Sequence, residues 1–228
     1  ILVTGGTGSL GQRLVERILS NELGQPKKVI IFSRDESKQH DMRVKWLNTS
    51  KKSDSIIFNN FKRVLEFRIG DIRRYDDILA SAKDVDIIVN AAALKHVPVC
   101  EYFPEQAILT NCIGAINLTK CISDHNLNVE TVVGISTDKA SSPINVMGMT
   151  KAIQERILVA SNIFLKKTKI LNVRYGNVIA SRGSVIPLFV HQIQNNKDIT
   201  VTDNKMTRFL LDLDQAVDTI IFAIKYGK

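Results

Sequence analysis

"ILVTGGTGSLGQRLVERIL", residues 1–19, passes from an apolar run through a glycine-rich turn into an amphipathic pattern. "ILVT" (1–4) reads as a strand buried on both faces. Beyond the glycines, Leu10, Leu14 and Ile18 recur at helical spacing, with Val15 and Leu19 beside them. Gly5, Gly8 and Gly11 lie between, spaced GxxGxxG rather than GxGxxG. Glycines at such a junction meet three needs: a tight turn, close backbone approach to a pyrophosphate, and close helix–strand packing. Free N–H groups at the helix start then face an anion. The stretch predicts a dinucleotide cradle of Gly5, Thr7, Gly8, Ser9, Leu10 and Gly11; the alternative is a bare turn.

Working outward, "KVIIFS" (28–33), "VLEFRI" (64–69), "VDIIVN" (85–90), "VETVVGIS" (129–136) and "KILNVR" (169–174) read as further buried strands. Helical patterns fill about 35–47, 75–82, 104–125 and 146–166. Strand–helix alternation with right-handed crossovers predicts an α/β fold, a doubly wound parallel sheet. Residues 48–62, polar at their start and without clear period, read as a long loop. The rhythm changes near the end. "GSVIPLFVHQIQNN" reads as a short helix interrupted near Pro187, and "DITVTDNKMTRFL" as two short strands around an Asp-Asn turn. "DLDQAVDTIIFAIKYG" reads as an amphipathic helix capped by Asp212 and Gln215. The tail is expected to begin a smaller substrate-covering region. A chain that opens inside an apolar run without an initiator Met is expected of a fragment.

A net charge of +8 suits anionic partners, and the basic residues are scattered among few aromatics. That favours phosphorylated small molecules over nucleic acid. No run approaches membrane-helix length, so no membrane contact is expected of this segment. Three cysteines without metal-like spacing or a secretory segment read as reduced packing residues in a cytoplasmic protein. The four histidines lack ligand spacing, and no metal is expected.

The second strand ends "FSRDESK", where an acidic residue would bind ribose hydroxyls. Ser33 and Arg34 come first here, with Lys38 beyond, and a hydroxyl plus a guanidinium suit a 2′-phosphate. The cofactor expected is therefore NADP; the alternative leaves Asp35 to take the ribose. After the third strand, Asp71 is placed to accept from an adenine amine with Ile72 under the ring, or else to cap the next helix. Ala91, Ala92 and Ala93 let backbone pass near the cofactor. Lys95 is a candidate for a substrate phosphate or a plain surface lysine.

Together these stretches resemble the extended short-chain dehydrogenase/reductase family, closest to the UDP-N-acetylglucosamine 4,6-dehydratases that invert C5 and serve surface-polysaccharide biosynthesis. The motifs are "TGGTGSLG", "FSRDESKQHDM", "GDIRRYDD", "AAALKHVPVCE", "TNCIGAINL", "STDKA", "PINVMGMTKA", "RYGNVIASRGSVIPLF" and "MTRF". They run in order along nearly the whole chain. The resemblance implies a Rossmann-like NADP domain over 1–174 and part of a substrate-binding region over 175–228, in a fold that continues beyond this length. It implies a homo-oligomer and a UDP-sugar substrate.

It also implies roles. The sugar is oxidised at C4, which acidifies C5–H. Water then leaves from C6, the hydride returns there, and C5 is reprotonated from the other face. Asp138 would be the acid at C6 and Lys139 the base at C5, with Thr137 beside them and Lys151 on the nicotinamide ribose. Asn111 would orient the lysine or a water. Tyr175 and Val178 would border the nicotinamide, Asn177 the sugar or diphosphate, and Arg182 and Arg208 the uridine diphosphate. Met147 departs from the family pattern, because a tyrosine usually stands four residues before that lysine. Lys139, Thr137 or a water are the candidates to take the C4 hydroxyl proton instead. The alternatives are a UDP-sugar 4-epimerase of the same fold, or a non-catalytic protein that senses NADP.

Overall fold

The computed structural model describes residues 1–49, 55–179, 185–201 and 203–228. The first half runs β1 (Leu2–Thr4), α1 (Ser9–Leu19), β2 (Val29–Ser33), α2 (Glu36–Thr49), α3 (Ser55–Val64), β3 (Leu65–Ile69), α4 (Tyr75–Ala82) and β4 (Ile87–Asn90). Then follow α5 (Val97–Tyr102), α6 (Pro104–Ala107), a π-helical turn over Ile108–Ile113 and α7 (Gly114–Asp124). After β5 (Thr131–Ile135) come a 3-10 turn (Asp138–Ala140), α8 (Val146–Ser161) and β6 (Lys169–Val173). The chain closes with β7 (Asn177–Val178), α9 (Val185–Gln194), β8 (Leu210–Leu211) and α10 (Leu213–Tyr226).

Six strands form one sheet in the order β3-β2-β1-β4-β5-β6, parallel at every pairing. The order reverses between β1 and β4, as a doubly wound sheet requires. Alternate side chains feed opposite cores. Leu2, Ile30, Ile88, Val132 and Ile170 meet Ile78, Leu118, Ile122 and Leu158 of α4, α7 and α8. Val3, Ile31, Val89, Val133 and Val173 meet Leu14, Ile18, Phe61, Val217 and Ile220 on the other face. Strands covered on both sides have no polar face, which is why they read as continuous apolar runs.

Three local readings change. Within 48–62, residues 55–64 are helical rather than looped: Ile57, Phe61 and Val64 lie one turn apart and pack on the α1 face. Asn60 fastens this helix by donating to Leu19 O at 2.7 Å and Asn21 Oδ1 at 2.8 Å. Pro187 does not interrupt its helix, for it is the third residue of α9, where the N–H has no intrahelical acceptor to lose. Of the two strands expected around 198–210, the described residues form only β8, and its partner is β7 in parallel. The expected turn is present, with Lys205 N donating to Asp203 Oδ1 at 2.9 Å.

The expected capping box of Asp212 and Gln215 forms at the start of α10. That helix belongs to the sheet's own core through Ala216, Val217, Ile220 and Ile221. Ion pairs from Arg13 to Asp214 and from Arg17 to Asp218, both 2.6 Å, tie it to α1. No residue of α9 is buried. Truncating Ile220, fully buried at the centre of this contact, empties a methylene-lined space. Ile220→Ala is expected to lower unfolding free energy in urea by about 2–5 kcal/mol with an unchanged m-value.

Candidate functional site

Because the strands are parallel, the loops after β1, β4, β5 and β6 all emerge at one edge, beside the reversal. Thr4 and Asn90, at the ends of β1 and β4, are joined by a 2.8 Å bond from Thr4 Oγ1 to Asn90 Oδ1. The same hydroxyl accepts from Ala92 N at 3.2 Å. Gly5 turns there with φ +65°, and a Cβ on it would lie 2.8 Å from Ala91 O and from Ala92 N. A Cβ on Gly11 would lie 2.6 Å from Gly6 Cα. The loop is pressed against its neighbours and has no room for side chains. Gly8, the N-cap of α1, offers no side chain to its first N–H groups, which leaves them for an anion. Thr7 is buried, while Ser9 and Leu10 are half-buried around the opening. Ala91, Ala92 and Ala93 are half-buried along the opposite side.

At the ends of β2 and β3 the adenosine candidates are already engaged. Ser33 Oγ accepts from Gln39 Nε2 at 3.0 Å. Arg34 is exposed, 3.6 Å from Asp71, and Lys38 pairs with Asp35. Asp71 is gripped by Arg73 through both side chain and backbone. Burial works to raise the Asp71 carboxyl, but the Arg73 fork outweighs it and holds the group below the usual carboxylate range. Ile72 is buried against Gly114 of α7.

The second half of the site surrounds the 3-10 turn after β5. Lys139 Nζ donates to Asp138 Oδ1 at 3.1 Å and to Asn177 Oδ1 at 3.0 Å. Thr137 Oγ1 donates to the same Asp138 oxygen at 2.8 Å. Burial pushes the Asp138 carboxyl up, but the Thr137 hydroxyl and Lys139 ammonium outweigh it and hold the group low. The turn rests on α8 at Gly148, where a Cβ would lie 2.5 Å from Lys139 O. Behind it, Tyr175 O accepts from Asp138 N at 3.1 Å. Tyr175 is half-buried, and the desolvation of its phenol raises the pKa far above the ordinary value. Val178 pairs with Leu211.

Lys151 and Met147 do not form a working pair. Met147 is buried with Cys100 and Ala107 in a small apolar cluster. Lys151 Nζ donates instead to Gln154 Oε1 at 2.8 Å, and Gln154 Nε2 to Ile135 O at 3.2 Å. Burial lowers the Lys151 amine to about 8, against the opposing pull of Glu155 and Cys112. Glu155 is forked by Arg174 at 2.7 and 2.5 Å. Asn111 reaches neither lysine through its recorded bonds. Its carboxamide pairs with Leu94 N and O and with Thr150 Oγ1, bracing the loop after β4.

Some candidates stand apart. Lys95 is exposed. Arg208 is exposed and bonds locally to Thr207 O. Arg182 lies outside the described residues. Burial pushes the thiols of Cys100 and Cys112 up, and that of Cys121 to about 11, which suits packing rather than nucleophilic chemistry. Sequence reading passed over Gly148, Gln154 and the Glu155–Arg174 fork. Gly148 carried a signal, a glycine inside a helical pattern. The fork joins residues from two elements and has no local signature.

The depressed Lys151 value sets a pH dependence. The unfolded chain keeps that proton up to about 10.5, while the folded protein releases it near 8. Between those values the unfolded state binds more protons, so this group's penalty, full below pH 8, disappears as pH rises. Lys151→Met is therefore expected to raise stability at pH 7 by on the order of 3 kcal/mol. The gain should shrink toward zero by pH 10.5 in urea titrations across that range.

Comparison with known proteins agrees with this architecture. A family model described as "Polysaccharide biosynthesis protein" matches residues 1–228. Among curated relatives, a protein named UDP-glucose 4-epimerase from Rickettsia bellii is 46% identical over all of this chain and 63% of its own length. Its namesake from Rickettsia prowazekii is 45% identical over the same shares. The chain thus spans less than two thirds of these relatives. Among solved structures, Pen from Bacillus thuringiensis is 38% identical with a TM-score of 0.88, covering 99% of this chain and 65% of that one. A dTDP-glucose 4,6-dehydratase from Streptomyces venezuelae, solved with NAD bound, shares the fold at 22% identity and a TM-score of 0.78, covering 99% of this chain and 72% of that one. With the family model matched from the first residue to the last, the chain belongs to the polysaccharide biosynthesis protein family, within the extended short-chain dehydrogenases/reductases.

Proposed function

We propose that this chain carries the cofactor and proton-transfer machinery of an NADP-dependent, C5-inverting UDP-N-acetylglucosamine 4,6-dehydratase. The observation that carries the reading is the Asp138–Lys139 couple. An acid and an amine stand side by side, 3.1 Å apart, at the sheet edge where the glycine loop opens. A cofactor fits the residues present, because the Gly5 and Gly11 positions leave space only for bare backbone. Gly5 to Gly11 would hold the pyrophosphate, Lys151 the nicotinamide ribose, and Ser33 with Arg34 a 2′-phosphate. When bound, the nicotinamide supplies reversible acceptance of hydride from the sugar.

The chain's own groups then divide the proton work. Lys139 takes the C5 proton made acidic by a C4 ketone. Asp138 gives a proton to the C6 hydroxyl as it departs. Part of the substrate-binding region lies within 175–228, with Arg208 contributing to it and Asn177 near the sugar. Homo-oligomerisation and cytoplasmic location complete the reading. The rival is a UDP-sugar 4-epimerase, the name borne by the Rickettsia relatives. An epimerase needs no acid at C6 and no base at C5, so the Asp138–Lys139 couple favours dehydration.

Incubation of the full-length protein with UDP-N-acetylglucosamine and NADP is expected to give a product lighter by one water and inverted at C5. An unchanged mass with inversion at C4 points to the epimerase. Lys139→Ala is expected to slow product formation by about 100- to 10,000-fold. Affinity is expected to be greater for NADP than for NAD, and Arg34→Ala to erase the difference.

A further inference from the structure

The proposed reaction needs a group to accept the C4 hydroxyl proton, and Met147 has none to offer. Its side chain is enclosed with Cys100 and Ala107, and the Lys151 ammonium is turned to Gln154. A second difficulty lies at C6. Asp138 is to act there as an acid, yet at rest it is an ion-paired carboxylate accepting from both Thr137 and Lys139. It therefore has to gain a proton during the reaction before it gives one.

One connection answers both needs. Thr137 Oγ1 donates to Asp138 Oδ1 at 2.8 Å, so its proton already lies on the line to the carboxylate. The hydroxyl oxygen also accepts from Lys139 N at 3.4 Å, which favours negative charge developing there. Thr137 is half-buried at the end of β5, on the edge where the substrate reading puts the sugar. A hydroxyl both donates and accepts, so it can pass a proton without holding charge.

Resting on that reading, we propose that Thr137 takes the C4 hydroxyl proton while passing its own to Asp138, and that the proton so received is the one Asp138 delivers to the departing C6 hydroxyl. The balance closes. The C4 O–H bond breaks and its proton goes to Thr137 Oγ1, while the Thr137 proton goes to Asp138 Oδ1. The C4–H bond breaks with its electron pair passing to an oxidised nicotinamide, and C4=O forms. With Asp138 now neutral, the Lys139 ammonium gives its own proton to solvent; the free amine then takes the C5 proton, the C5–H electrons form the C5=C6 bond, and the C6–O bond breaks. The C6 oxygen leaves as water with the Asp138 proton, which returns Asp138 to carboxylate. No other acid is consumed before the hydride returns.

The relay makes Asp138 necessary for the first step as well as for dehydration. If Lys139 or water took the C4 proton instead, oxidation would survive without Asp138. The test uses the full-length protein mixed with stoichiometric UDP-N-acetylglucosamine and NADP+. It reads the near-ultraviolet absorbance of reduced nicotinamide apart from product mass. Asp138→Asn and Thr137→Val are each expected to lose the absorbance transient and the dehydrated product together, by about 100-fold or more, with NADP affinity kept. Thr137→Ser is expected to restore both to within about tenfold. In the ligand-free protein, Thr137→Val is expected to move the Asp138 carboxyl titration upward by carbon NMR, since it deletes a bond to the carboxylate.

A transient that persists in Asp138→Asn or Thr137→Val while dehydration is lost overturns the relay and leaves the dehydratase reading standing. An unmoved Asp138 titration in Thr137→Val also overturns it. Wild-type protein that yields no dehydrated sugar overturns the reading and the relay together.

Discussion

The parallel pairing of β1 with β4 is the constraint on which the site depends. These strands flank the reversal in strand order, so the helices that follow them leave on opposite faces and a crevice opens between. The crevice survives only if the two strand ends stay close, and the Thr4–Asn90 bond with the Thr4–Ala92 contact holds them. That closeness excludes side chains at Gly5 and keeps Ala91 to Ala93 small. The bare, tight turn at Gly5 is thus a consequence of sheet packing, whatever ligand it meets.

The short segment 174–178 does a comparable job for Asp138 and Lys139. Arg174 forks Glu155 of α8, Tyr175 O accepts from Asp138 N, and Asn177 Oδ1 accepts from Lys139 Nζ. Asn177 N is held in turn by Phe209 O, and Gly176 leaves no space for a Cβ against that carbonyl. A lysine ammonium has three donors, and two are fixed here by acceptors on different elements. The remaining direction is then defined by the fold. The small β7–β8 pairing contributes little burial, yet it links the last part of the chain to the Lys139 amine.

Much of this was legible from residue order. Strands buried on both faces leave an unmistakable apolar run, and all six appear within two residues of their expected positions. The glycine loop and the Asp138–Lys139 couple are contiguous in sequence, so their proximity needs no fold to be seen. What escaped reading depends on partners distant along the chain. The helix of Ile57, Phe61 and Val64 follows a polar lead that hides its apolar spacing, and it is stabilised by Asn60 reaching α1. Asn111 is read through its match to a family asparagine, and its partners here, Leu94 and Thr150, are 17 and 39 residues away. Asn177 bonds Lys139 across 38 residues. Pairings of that kind arise from strand order, which no local pattern encodes.

The burial of Lys151 shows how the chain accommodates the loss of its usual neighbour. A phenol at position 147 would give the ammonium a polar partner one turn away. Methionine removes that partner, and Met147 fits the apolar space among Cys100 and Ala107 instead. A buried ammonium without acceptors is costly, so the replacement has to come from the other direction along α8. Gln154 supplies the acceptor, and Ile135 O fixes which way its carboxamide faces. Glu155 supplies the opposing charge, and Arg174 keeps it ionised. The compensation is partial, since the amine still titrates near 8. At pH 7 most of the amine is still charged, and Gln154 and Glu155 are what hold that charge inside the protein. Asp138 is held separately, by the Thr137 hydroxyl and the Lys139 ammonium, so the two charges of this edge are satisfied by different sets of partners.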